Sequence, residues 1–162
     1  MARESGVEFR VNHEPSLPRF AELNRQWIER YHHMECGDRE MVADPGVYLR
    51  NGGRVITAHV GGEVAGAVAL KPHDDGPNGE RKWELTKMAV DPRFHGRGIG
   101  GELLEEAHRV ARDELGLSEL FLLTNTKLEA AGRLYARHGW VVNHEGAHPV
   151  YERCNIGYRK TL

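Results

Sequence analysis

The residues Gly96-Arg97-Gly98-Ile99-Gly100-Gly101 combine closely spaced glycines with the start of a strongly periodic apolar pattern. Glycines let backbone approach a ligand closely and leave their N–H groups free to point at an anion. At a helix N-terminus such a loop is a phosphate cradle, because the helix dipole adds its own attraction for negative charge. The segment literally satisfies Gly-x-Gly-x-x-Gly, the dinucleotide fingerprint. That match is weak here. A dinucleotide fold runs its strand straight into the first glycine, whereas Asp91-Pro92-Arg93-Phe94-His95 intervenes, and Thr124-Asn125-Thr126 offers no acidic residue for a ribose. A nucleotide-triphosphate loop is excluded, since no Gly-Lys-Ser/Thr follows the glycines. What remains is a pyrophosphate held at a helix N-terminus in a short α/β domain.

The elements that must position this loop are legible from periodicity. Residues 7–11 alternate apolar and polar like a strand at a sheet edge. Phe20, Leu23, Trp27, Ile28 and Tyr31 form a stripe at helical spacing, and a second, shorter helical region is broken at Pro45-Gly46. Residues 55–60 and 64–70 read as a hairpin around Gly61-Gly62, and residues 72–80 as a loop. Trp83 to Val90 is a strand that Pro92 cannot continue. From Ile99 a helix carries Leu103, Ala107, Val110, Ala111 and Leu115 on its inner face. Leu120 to Leu123 is a buried strand. A helix with Leu128, Ala131, Leu134 and Tyr135 on one face follows, stopping at His138-Gly139. Trp140-Val141-Val142 and Tyr151 to Tyr158 supply the last strands. The order β-α-α-β-β-β-α-β-α-β-β is a mixed sheet flanked by helices.

Composition bounds the function classes. At 162 residues the chain suits one domain. A net charge of −2 and a pI of about 6.6 give no general attraction for nucleic acid or membrane. The ten histidines are scattered, with His32-His33 the one adjacent pair and no Cys-x-x-Cys, so no metal is expected. Cys36 and Cys154 do not suggest a disulfide scaffold, and Met1-Ala2-Arg3-Glu4 is not followed by an apolar signal core. These features lead to the expectation of a cytoplasmic protein.

Three motifs now fall in order: Glu84-Leu85-Thr86-Lys87-Met88-Ala89-Val90-Asp91-Pro92, the glycine loop, and Ala131-Gly132-Arg133-Leu134-Tyr135-Ala136-Arg137-His138-Gly139-Trp140. Together they resemble the GNAT superfamily of acetyl-CoA-dependent N-acetyltransferases, strongly over residues 84–140 and more loosely beyond. The resemblance implies a single N-acetyltransferase domain over residues 1–162, of mixed α/β class. Its central, mostly antiparallel sheet would be splayed at the fourth strand and flanked by about four helices. It also implies acetyl-CoA as cosubstrate. The family loop, Arg/Gln-x-x-Gly-x-Gly/Ala, falls on His95-Gly96-Arg97-Gly98-Ile99-Gly100. Backbone N–H groups from Arg97 to Gly101 would then take the CoA pyrophosphate. His95 departs from the usual Arg or Gln, which weakens the side-chain contribution and leaves the backbone contribution intact. The family bulges its fourth strand, so main-chain groups at Met88, Ala89 and Val90 would meet the acetyl carbonyl and pantetheine. For Met88 and Val90, core packing is the competing reading and is compatible with backbone contacts. Tyr135 matches the tyrosine that protonates the departing thiolate; otherwise it is a core tyrosine. Where the family often has a pantetheine-binding Asn this chain has Leu128, and Asn125 stands just upstream as a substitute.

An attacking amine must be neutral, and Glu84 is the candidate base. Strict alternation places Glu84, Thr86, Met88 and Val90 on one face, and the alternative for Glu84 is an exposed carboxylate or a salt bridge to Lys87. The acceptor pocket of the family would draw on Trp27, Tyr31, Glu35, Asp38, His73, Tyr151, Arg153 and Asn155. Glu35 and Asp38 would attract a cationic amine, whereas Arg153 or His32-His33 would attract a carboxylate. Trp27 and Tyr31, on the apolar stripe, read first as core. The reaction expected is acetyl transfer to a primary amine of a small molecule by direct attack in a ternary complex. The alternatives are a protein N-terminal or lysine acetyltransferase and a non-catalytic CoA-binding module. Pairing through the C-terminal strand would make a homodimer.

Overall fold

The computed structural model describes residues 6–31, 36–74, 81–146 and 154–162. One seven-stranded sheet runs through it, built from β1 (Val7–Val11), β2 (Arg54–Val60), β3 (Glu63–His73), β4 (Lys82–Val90), β5 (Glu119–Thr124), β6 (Val141–Glu145) and β7 (Ile156–Thr161). The helices are α1 (Leu17–Tyr31), α2 (Cys36–Ala43), the single turn α3 (Val47–Arg50), α4 (Ile99–Arg109) and α5 (Glu129–Arg137). Beyond Arg109, α4 continues as a wider π turn over Val110–Glu114, so the helical segment ends where its apolar pattern does.

The spatial order is β1-β2-β3-β4-β5-β7-β6. Neighbours are antiparallel except β4 and β5, which run parallel because α4 carries the chain back over one face. The C-terminal strand β7 lies between β5 and β6, so the outer edge on that side belongs to β6 rather than to the chain end. The last strand also starts at Ile156, later than the sequence pattern implied; Tyr151 and Arg153, expected in it, lie outside the described residues.

Alternation along β3 supplies two cores. Val68 and Leu70 face α4 together with Ile56, Leu85, Leu103, Leu104 and Ala107. Ala67 and Ala69 face the other way, against Leu17, Phe20, Met41 and Tyr48 of the first three helices. Small side chains on that face let α1 lie close to the sheet.

Asp91 ties the two halves of this scaffold to the glycine loop. Its buried carboxylate accepts from the Arg93 backbone N–H at 2.9 Å, capping the 3-10 turn Pro92–Phe94, and from the Arg93 side chain. Arg19 of α1 donates to the same carboxylate at 2.5 Å. Burial alone would raise the Asp91 pKa, but the hydrogen bonds from Arg93 and Arg19 outweigh it and hold the group at about 2. A carboxyl depressed from its unfolded value of 3.8 stabilises the fold fully above that value and loses the contribution as pH falls through about 2. Urea unfolding at a series of pH values is therefore expected to show wild type losing about 2 kcal/mol between pH 5 and pH 2 that Asp91→Asn does not lose. Parallel acid limbs for the two proteins would show that Asp91 contributes nothing.

Candidate active site

The sheet comes apart where the glycine loop begins. β4 and β5 are in register at one pair only, Glu84 opposite Phe121, and beyond it they diverge. β4 also slips by one residue against β3: Ala69 faces Thr86, yet Ala67 faces Ala89, so Lys87 and Met88 together oppose Val68. This is a β-bulge, made possible by Lys87 at φ 57, a left-handed conformation unusual for lysine. Lys87 is anchored by a close ion pair with the buried Asp38 of α2. The extra residue reverses the alternation. Glu84, Thr86 and Ala89 lie on the α1 side, while Met88 and Val90 pack with the α4-side core. The expectation that Glu84 shares a face with Met88 and Val90 fails for this reason.

The divergence opens a cleft of about 510 Å3. At one end lies the loop. Gly96 and Gly98 have φ 80 and 76, and Gly98 caps α4 in the left-handed region, with Glu102 N–H the first to find a helical acceptor at Gly98 O. The amides of the first turn therefore open on the cleft rather than into the helix. Gly101 serves a different need: a Cβ there would stand 3.0 Å from the His138 ring, so its absence lets α5 close against the start of α4. His95 Nε2–H donates to Val90 O at 3.1 Å, which fixes the entry of the loop. The Arg97 guanidinium sits 5.2 Å from the Phe94 ring centre, its charge beside the cradle.

In the middle of the cleft stands Tyr135. Burial, with a smaller push from Tyr158, raises its phenol to about 12, so it stays protonated at neutral pH. Asn125 is half-buried alongside, its Oδ1 accepting from Lys127 N–H at 2.9 Å, and Leu128 lines the same wall. At the far end Glu84 is 8% exposed and bonded to His73 Nε2 at 2.9 Å, with the His73 ring 5.6 Å from Phe121. Lys87, a sequence-level partner for Glu84, is taken by Asp38 instead.

The cleft gathers Glu84, Met88, Ala89, Val90, His95, Gly96, Gly98, Ile99, Gly100, Gly101, Asn125 and Tyr135; of the residues singled out from sequence for the donor side, Arg97 alone does not line it. The acceptor side is less as expected. Trp27 is half-buried and walls the cleft rather than filling the core. Asp38 is neutralised by Lys87. Asn155 braces the β5–α5 connection, accepting from Thr126 N–H at 2.9 Å and donating to its hydroxyl. Glu35, His32, His33, Tyr151, Arg153 and the Tyr31 side chain lie outside the description. Sequence reasoning passed over Asn24, Tyr48, Lys71 and Cys154, all of which line the cleft. Among the described residues no cluster of three or more His, Cys, Asp or Glu gathers to hold a metal, and no helix is long and apolar enough to cross a membrane.

Comparison with known proteins agrees with this geometry. The sequence profile of the acetyltransferase (GNAT) family matches residues 18–140. N-acetyltransferase 8F1 of Rattus norvegicus is 32% identical over 93 residues, 57% of this chain and 42% of that protein. The chain spans about half or less of the length of such curated relatives. A GNAT-family acetyltransferase from Staphylococcus aureus superposes with a TM-score of 0.79 at 19% identity, covering 96% of this chain and 99% of that one. The Salmonella typhimurium protein yncA, solved with acetyl-CoA, gives 0.75 at 17% identity over 96% and 94%.

The ion pair that braces the bulge is testable directly. Asp38→Ala leaves the half-buried Lys87 without its counter-charge and is expected to cost about 3 kcal/mol in chemical denaturation, while Asp38→Leu/Lys87→Met recovers most of it. A single variant as stable as wild type would mean that the bulge does not depend on the pair.

Proposed function

Because this chain belongs to the GNAT acetyltransferase family, we propose that it transfers an acetyl group from acetyl-CoA to a primary amine of a small molecule by direct attack within a ternary complex. Residues 1–162 act in this reading as one N-acetyltransferase domain. The observation that carries it is a single cleft, opened by the β4–β5 divergence, with an anion cradle at one end and a histidine-held carboxylate at the other. The cradle suits a pyrophosphate: left-handed glycines at its rim, first-turn amides of α4 behind them and the Arg97 cation beside them.

Acetyl-CoA, when bound, supplies an acetyl group activated as a thioester. The residues of the chain then divide the work. Backbone amides from Arg97 to Gly101 hold the pyrophosphate. The bulge takes Met88 out of pairing with β3, and its N–H is the donor assigned to the acyl oxygen, where negative charge develops. Glu84 accepts a proton from the acceptor ammonium, with His73 orienting the carboxylate, so that nitrogen attacks as a neutral amine. Tyr135 meets the departing sulfur. With its pKa near 12, the phenol is a weaker acid than an ordinary thiol at about 8.5, so a hydrogen bond rather than a full proton transfer is its contribution. The proton that ends on sulfur comes from the nitrogen.

Thiol release from acetyl-CoA, assayed with a panel of amines, tests the reaction, and calorimetric binding of acetyl-CoA separates affinity from turnover. Glu84→Gln is expected to lower kcat by about 10²–10⁴-fold with acetyl-CoA affinity unchanged. Equal losses in both, or none, would remove Glu84 as the base. Tight CoA binding without release for any amine would mark a non-catalytic module.

A further inference from the structure

The acceptor end of the cleft contains a cation, Lys71, that has no ion-pair partner among the described residues. Lys71 on β3 stands directly opposite Glu84 on β4, on the same face. Cross-strand partners of opposite sign ordinarily pair. Here they do not, because His73, two residues along β3, holds Glu84 at 2.9 Å. Lys71 is half-buried, lines the cleft, and makes no ion pair or hydrogen bond among the described residues. The other lysine of the cleft, Lys87, is already neutralised by Asp38. Trp27, Ile28 and Tyr48 provide an apolar wall beside Lys71. The glycine cradle is at the opposite end, so the donor's phosphates do not account for the free charge.

We infer that Lys71 is a specificity-determining residue that binds an anionic group on the acceptor, so that the preferred acceptor is a zwitterionic amine of the amino-acid class with an apolar or aromatic side chain. The inference rests on the acetyltransferase reading above and deepens it. The amine goes to Glu84 and the carboxylate to Lys71, and their cross-strand pairing sets the two charges at the short separation that an α-amino acid presents. A peptide N-terminus, whose neighbouring carbonyl is an uncharged amide, lacks the second charge.

The test compares L-phenylalanine with phenethylamine and with phenylalanine methyl ester, and L-leucine with isoamylamine, in wild type, Lys71→Gln and Lys71→Arg. In wild type the free amino acid of each set is expected to have a kcat/KM about 10–100-fold above its counterparts that lack the carboxylate. Lys71→Gln abolishes that preference through KM, lowering kcat/KM for the free amino acids far more than for phenethylamine, and Lys71→Arg restores it. The methyl ester in wild type gives the same reading without any substitution. Turnover of the amines with no preference for the carboxylate overturns the anion site and leaves acetyl transfer standing, as does a Lys71→Gln loss shared equally by acceptors with and without the carboxylate. Absence of turnover with every amine overturns both.

Discussion

The cleft of this molecule depends on β4 losing its neighbours on both sides within a few residues. Against β5 it pairs at Glu84 and Phe121 alone, and against β3 it slips by one residue at Lys87. A sheet that zipped fully here would have no cleft, and Met88 would stay in the ladder. Left-handed backbone at a lysine costs on the order of 1–2 kcal/mol, so something must hold it there. The buried Asp38 of α2 does so, and a helix distant in sequence thereby fixes the backbone at the centre of the site.

The same logic recurs at the end of β4. Pro92 stops the strand, Asp91 caps the turn that follows, and Arg19 and Arg93 converge on its carboxylate. The glycine loop is permissive by composition, yet its entry is not. His95 closes back on the Val90 carbonyl, so the loop leaves the strand in one direction. Flexibility is confined to positions where backbone geometry requires glycine, and side-chain hydrogen bonds restrain the rest.

The order of elements and the glycine-loop end of the cleft were legible in the sequence because both rest on local signals: glycines, a proline stop, and apolar positions at helical or strand spacing. Glu84 was singled out by its place on the strand leading to that loop and Tyr135 by the family resemblance, and both line the cleft. The relation of Glu84 to Met88 was not, since a bulge changes parity without changing composition. Lys71 was passed over, and Asp38 was read as an acceptor-binding group instead of the partner of Lys87, for a related reason. Each takes its meaning from what its neighbour is doing, Lys71 from His73 claiming Glu84 and Asp38 from Lys87 turning inward. An antiparallel pairing of residues 71 and 84 was within reach of the hairpin pattern; the diversion of Glu84 to His73 was not. The final strand was drawn through Cys154 and Asn155, which precede its first paired residue, Ile156, because composition alone does not mark where pairing starts.

The lone register pair between Glu84 and Phe121 also has a mechanical meaning. Strands β1 to β4 form one blade and β5 to β7 another, and the two meet at that point like the arms of a pair of tongs. A change in the angle between the blades moves the mouth, with its glycine cradle and Asn125, far more than it moves the fulcrum. Glu84 sits on the fulcrum. The carboxylate beside the joint would thus keep its position under any change in the width of the jaws.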